Sequence, residues 1–162
     1  VLFPLIRLKP AKGLSRPFVG HVWVRWRLES NFCPVETMAM HALIIEDQFV
    51  LASLIEDELR ELDYTTVATV DTEGAAVVSA TAHCPDLIVA DERLADGSGV
   101  AAIRAICAER HVPFVFVTSY VEEVRRHLPD AVAVPKPFSA PVLREAIGRT
   151  IAISQSQQSA GG

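Results

Sequence analysis

LIVADERLADGSG, residues 87–99, is the stretch that decides the fold. Asp86–Asp91 (DLIVAD) reads as a strand, since Leu87–Ala90 form a continuous apolar run, the pattern of a strand buried on both faces. A carboxylate, Asp91, ends the run. Asp96-Gly97-Ser98-Gly99 then reads as a turn, because glycine tolerates unusual backbone angles and Asp and Ser hydrogen-bond their own backbone. Beyond it, Val100–Arg110 reads as a helix. Residues 86–110 thus make one strand–turn–helix unit.

The same alternation extends in both directions. Upstream, His41–Glu46 (HALIIE) is a short apolar run read as a buried strand. Asp47–Leu62 has apolar residues at Val50, Leu51, Leu54, Ile55, Leu59 and Leu62, which is helical spacing. Thr65–Val70 (TTVATV) is β-branched and reads as a strand. Asp71 or Thr72 is placed to cap a helix running to about Ala82. Downstream, Pro113–Thr118 (PFVFVT) is a fourth strand and Val121–Leu128 a short helix. Ala131–Val134 is a fifth strand, followed by Pro135-Lys136-Pro137. Ser139 caps a last helix, with Pro141 in its first turn, running to about Ile153. Five strands alternating with five helices predict an α/β fold, a parallel sheet with helices on both faces.

Ligands of open α/β sheets sit outside the carboxyl ends of the strands. Glu46 and Asp47 stand at the end of strand one, Asp91 at strand three, Thr118 and Ser119 at strand four, and Lys136 just past strand five. Three carboxylates repel one another, and a hard divalent cation is the usual remedy. Mg²⁺ also favours phosphate oxygens, so the set points to phosphoryl chemistry at a metal site. Asp91 is central and is read as the nucleophile forming an acyl phosphate. Glu46 and Asp47 are read as holders of Mg²⁺, directly or through water. Lys136 would pair with Asp91 and then with a phosphoryl oxygen, and Thr118 would donate to another. Pro135 and Pro137 would restrict the backbone around Lys136.

Each residue alone has a plainer reading. Asp47 suits a helix cap, Asp91 a turn, Thr118 another cap, and Lys136 a solvated surface. Their shared register at strand ends favours the joint reading.

These residues resemble the receiver domain of response regulators, of the single-domain type, over about residues 41–153. The resemblance rests on LIIED, LIVADERLADGSG, FVFVTS and PKPF in that order. It implies a flavodoxin-like, doubly wound five-stranded sheet of order 2-1-3-4-5. It implies phosphorylation of Asp91 by a histidine kinase or histidine phosphotransfer protein in a two-component phosphorelay. It also implies that the backbone carbonyl of Arg93 helps to hold Mg²⁺. Two positions depart from the family pattern. Ala95 stands where proline is frequent. Ala133 stands where an aromatic residue usually swings inward as Thr118 engages the phosphoryl group. Tyr120 is a candidate to take over part of that switch. The strand-four and PKPF stretches also partly match a subgroup of stand-alone receivers with its own strand-four loop motif.

Composition limits the alternatives. The chain has 162 residues, about the size of one domain, and half of them are hydrophobic, enough for a core. Residues 1–40 carry six basic and two acidic side chains, and residues 41–162 nine basic and eighteen acidic. The acidic body argues against nucleic-acid backbone binding. Cys33, Cys84 and Cys107 share no C-x-x-C spacing and read as reduced thiols of a cytoplasmic protein. No apolar run is long enough for a membrane span, and Arg7, Lys9 and Lys12 interrupt what would be a signal peptide. Residues 1–40 hold four prolines and no sustained period. They read as a poorly ordered extension, as sequence upstream of a true start at Met38 or Met40, or as a docking arm around Val22, Trp23, Val24 and Trp26. Residues 154–162 read as a disordered polar tail. With so little after the last helix, output is expected through phosphotransfer or through a downstream protein docking on the α4–β5–α5 face.

Three rivals compete with this reading. A pseudo-receiver would use the same fold as a protein-binding module without phosphorylation. A Mg²⁺-dependent phosphatase or phosphotransferase would need a cap or substrate pocket, for which 41–153 has no long insertion. A DNA-binding role would fall to the basic arm alone.

Overall fold

A computed structural model describes residues 40–108 and 110–160. The readings placed on residues 1–39 lie outside the described residues. The elements are β1 (Met40–Ile45), α1 (Phe49–Glu61), β2 (Tyr64–Val70), α2 (Glu73–Ala82), β3 (Leu87–Ala90), α3 (Gly99–Cys107), β4 (Phe114–Thr118), α4 (Val121–His127), β5 (Val132–Pro135) and α5 (Ala140–Ala160). The sheet is parallel throughout with strand order β2-β1-β3-β4-β5, as expected.

Alternation along the strands builds two cores. Ile44, Leu87, Val89, Val115 and Val117 pack with Ile55 and Leu59 of α1 and with Leu143 and Ile147 of α5. Leu43, Ile45, Ile88, Ala90 and Phe116 face the other way, toward Ala76, Val100, Ile103 and Val124 of α2, α3 and α4. Phe116 is fully buried in this second core. Truncating it to alanine is expected to cost roughly 3–5 kcal/mol, since a cavity is left beside the lost apolar contact.

Caps set the helix starts. Thr72, not Asp71, caps α2, its side chain accepting from the Ala75 N–H. Ser98 caps α3, its hydroxyl accepting from the N–H groups of Val100 and Ala101. The first backbone bond of α5 runs from the Leu143 N–H to the Ser139 carbonyl, and Pro141 falls where no helical donor is needed.

The end of the chain differs from expectation. Residues 154–160, expected as part of a disordered tail, are helical, because α5 continues to Ala160. Neither glycine nor proline interrupts the sequence between Ile153 and Gly161. Ser154 is buried, so this part of the helix still packs. Ser156 and Ser159 bond back to the carbonyls of Ala152 and Gln155, which satisfies hydroxyls that would otherwise compete with the helix.

Candidate functional site

Backbone hydrogen bonds carry the sheet one residue past several of its strands. The Glu46 N–H donates to Val70, the Asp91 N–H to Ile45, and the Lys136 N–H to Thr118, all at 2.8–3.0 Å. The residues after the strands are thereby fixed on one rim. The structure brings Glu46, Asp47, Asp91 and Lys136 together there. A carboxylate oxygen from each of the three acids lies within 4.8 Å of the others.

Lys136 joins two of them. Its Nζ donates to Glu46 Oε2 and to Asp91 Oδ2, both at 2.7 Å. Glu46 is 3% exposed and Asp91 6%, and the Lys136 side chain is 11% exposed. Lys136 is therefore not a solvated surface lysine. Burial alone would lower its ammonium pKa, but the hydrogen bonds and charges of Asp91 and Glu46 outweigh that and raise it. Burial raises the Glu46 carboxyl, with the Lys136 bond opposing it. The remaining Asp91 oxygen, Oδ1, accepts from the N–H of Glu92 at 2.6 Å and of Arg93 at 3.4 Å.

Asp47 is not the cap of α1, since the residue before that helix is Gln48, which makes no side-chain cap bond. Asp47 is exposed, leaving its carboxylate at the mouth of the cluster. Thr118 is fully buried at the end of β4, and its hydroxyl accepts from the Tyr120 N–H at 3.1 Å. It sits on the strand beside Asp91, but its hydroxyl is turned toward the start of α4. Ala133 packs with the second core and pairs with Phe116 across β4 and β5. Tyr120 is 41% exposed and lies under the Arg93 guanidinium, 3.8 Å from ring centroid to Cζ. Arg93 also reaches Glu123 of α4 at 3.4 Å. The loop after Asp91 is thus tied to α4 through Arg93.

For two residues beside the acceptor the sequence does not reveal the packing: the close approach of Gly99 and the burial of Glu92. Gly99 starts α3 against the backbone of Asp91. A Cβ there would fall far inside van der Waals contact distance of the Asp91 carbonyl oxygen. The second glycine of the DGSG turn was the available signal. Glu92 is buried, although a glutamate in a loop is normally solvated. Ser98 donates to its Oε1 at 3.4 Å, while Oε2 has no hydrogen-bond partner among the described residues. The Arg93 Nε stands 3.8 Å from that oxygen. Burial, then the Glu123 charge, raise the Glu92 carboxyl.

The donor set fits a hard divalent cation. All three groups are carboxylates, two buried and one open to solvent, and a single ammonium opposes them. When ionised, they leave a local excess of negative charge that a cation would offset.

The chain is similar to known proteins in sequence and fold. The response regulator receiver domain family matches residues 42–148. The chain is 32% identical to the phyllosphere-induced regulator PhyR of Methylorubrum extorquens over 74% of this chain, and spans about half of that relative, 46% of its length. It is 30% identical to the chemotaxis protein CheY of Pseudomonas aeruginosa over 67% of this chain and 93% of that protein. Among solved structures it is similar to the receiver domain of the sensor histidine kinase PA1611 from Pseudomonas aeruginosa, with TM-score 0.61 and 31% identity, over 70% of this chain and 98% of that one. That structure has a magnesium ion coordinated in its active-site cleft. No described helix is long and apolar enough to cross a membrane. By sheet order, rim chemistry and sequence match, this chain belongs to the response regulator receiver domain family.

Proposed function

We propose that Asp91 accepts a phosphoryl group from the phosphohistidine of a histidine kinase or phosphotransfer protein, with Mg²⁺ as cofactor, in cytoplasmic two-component signalling. The observation that carries this reading is the largely buried Lys136 ammonium, 2.7 Å from both Glu46 and Asp91, two members of a three-carboxylate cluster. In the transfer, an Asp91 oxygen forms a bond to phosphorus as the phosphorus–nitrogen bond of the donor breaks. The imidazole nitrogen keeps the electron pair and takes a proton from solvent. The backbone N–H groups of Glu92 and Arg93 hold Oδ1 and orient the carboxylate. Lys136 follows the charge from the carboxylate onto a phosphoryl oxygen. Thr118 supplies a hydroxyl to another once it leaves the Tyr120 N–H. Glu46, Asp47, Asp91 and the Arg93 backbone carbonyl would hold Mg²⁺. The ion would neutralise charge on the phosphoryl oxygens. The cycle returns the protein itself and turns over no separate substrate.

Tyr120 is the proposed reporter in place of the aromatic residue missing at Ala133. Thr118 and Arg93 both touch Tyr120, so a change at either is felt at the start of α4. Signal would then pass to a downstream protein through α4, β5 and α5. Unchanged phosphorylation-dependent partner binding in Tyr120→Ala would remove this role.

Ala133 also favours a second reading, a pseudo-receiver that binds protein partners without phosphorylation. The test is direct. Acetyl phosphate with Mg²⁺ is expected to add one phosphoryl mass to the chain and none to Asp91→Asn. Absence of labelling by both acetyl phosphate and a cognate histidine kinase would leave the pseudo-receiver reading.

A further inference from the structure

The loop that follows Asp91 closes on itself and is then tied to α2. Arg93 and Ser98 pair as an antiparallel bridge, and the Gly99 N–H donates to the Glu92 carbonyl at 2.9 Å. The outer side of this closed loop rests on Glu73, the first residue of α2. The Ser98 N–H donates to Glu73 Oε2 at 3.1 Å, and the Glu73 N–H donates to the Asp96 carbonyl at 3.1 Å. Gly97 has φ +86°, and a Cβ there would collide with the Glu73 side chain. An acid in the first turn of a helix commonly serves that helix alone, through its dipole. Here Glu73 is half-buried and its carboxylate holds a backbone donor 25 residues away. Ser98 passes the hold on: its hydroxyl donates to Glu92 Oε1, and Gly99 beside it packs on the Asp91 backbone.

We infer that Glu73 is a positioning residue for the acceptor site: by holding the Ser98 N–H, its carboxylate fixes the loop that carries the Arg93 carbonyl and the backbone donors to Asp91. The inference rests on the proposed Mg²⁺ role of Asp91 and the Arg93 carbonyl. Glu73 is assigned no contact with cation or phosphoryl group and acts through the loop. A loop without the tie would have to give up conformational freedom each time the cation bound, so untying it weakens Mg²⁺ binding.

The test compares wild type with Glu73→Ala, Glu73→Gln and Asp71→Asn, each as the ¹⁵N-labelled full chain. Alanine removes the acceptor, glutamine keeps an acceptor oxygen without the charge, and Asp71→Asn removes a neighbouring exposed charge. In Glu73→Ala the Ser98 amide should exchange with solvent about tenfold faster, the effect of losing one hydrogen bond to a charged group. The Gly99 amide should follow in the same direction. Mg²⁺, followed by its shift of the Arg93 amide, should bind about fivefold more weakly. Glu73→Gln and Asp71→Asn should stay within about twofold of wild type, because charge at the surface is screened by salt. A purely structural Glu73 would lower urea stability and leave Mg²⁺ affinity unchanged, and that result overturns the inference. Equal weakening in every variant would mean that charge alone acts, and overturns it as well. If wild type shows no saturable Mg²⁺ shift, the reading of Asp91 fails and exchange alone judges the tie: faster Gly99 exchange in Glu73→Ala supports it, and unchanged exchange overturns it. Should Glu73→Ala not fold, Glu73→Ser, too short to reach Ser98, takes its place.

Discussion

The two ends of the sheet solve opposite problems. At the carboxyl end, charged groups are buried and most are paired, with Lys136 held between Glu46 and Asp91. At the amino end of β4 and β5, a largely apolar hollow opens, and Thr150 beside it has a buried hydroxyl without a partner among the described residues. Buried charge is tolerated where an opposite charge and backbone donors meet it, and each such group then depends on its neighbours. A hollow lined by apolar side chains has no such mutual dependence. Changes at the first end should therefore be large and coupled, and changes at the second small and local. Glu92 is the exception at the charged end, since one of its oxygens is as poorly satisfied as the Thr150 hydroxyl.

The strongest way to break this contrast is Lys136→Met. It leaves Glu46 and Asp91 facing each other without the ammonium. A loss of roughly 3 kcal/mol is expected in urea denaturation near neutral pH without divalent cation. Added Mg²⁺ should recover more stability in this variant than in wild type. A loss below about 0.5 kcal/mol would mean that the ion pair is no more than a surface contact.

Gly99→Ala comes next. Its Cβ would displace the Asp91 backbone, so a loss of about 2 kcal/mol is expected. Slower labelling by acetyl phosphate should accompany it. Wild-type labelling and stability together would show that the loop relaxes freely.

Glu92→Gln should act in the opposite direction. Burial holds the Glu92 carboxyl above its ordinary value of 4.5, so the folded protein binds that proton more tightly than the unfolded chain. Its ionised form therefore costs stability above the folded pKa, and the cost vanishes as pH falls below the unfolded value. The variant should gain about 1 kcal/mol near pH 7.5 and lose that gain toward pH 4. A gain that persists unchanged at low pH would point to packing rather than charge.

The smallest effect belongs to Thr150→Val, a gain of about 0.5 kcal/mol from removing an unpaired buried hydroxyl. Thermal denaturation with acetyl phosphate labelling measured in parallel would check it. Any change in labelling would couple the two ends and undo the contrast.

Much of the fold was legible because its strands are continuous apolar runs separated by turn residues. LIVA and FVFV admit few other readings. The charged cluster was legible because each member ends, or directly follows, a strand, and parallel strands bring those positions to one rim. Other features depend on three-dimensional neighbours. Polar SQSQQS looks like a tail until its serines bond back to the helix and Ser154 packs. Glu92 looks solvated until the turn after Asp91 folds it inward. The Thr150 hydroxyl looks ordinary until packing buries it without a partner among the described residues.

The fit of Gly99 against the Asp91 carbonyl has a consequence for inheritance. Every other coded residue carries a Cβ, so no missense change at this codon is conservative. Drift can rewrite neighbouring loop positions by small steps, but from this one there is no small step. In a saturation library selected for signalling, position 99 should be depleted uniformly across substitutions, whatever their polarity or size. Asp91 itself should be selective by chemistry instead. The two positions together would mark, from sequence counts alone, where shape is under constraint and where charge is.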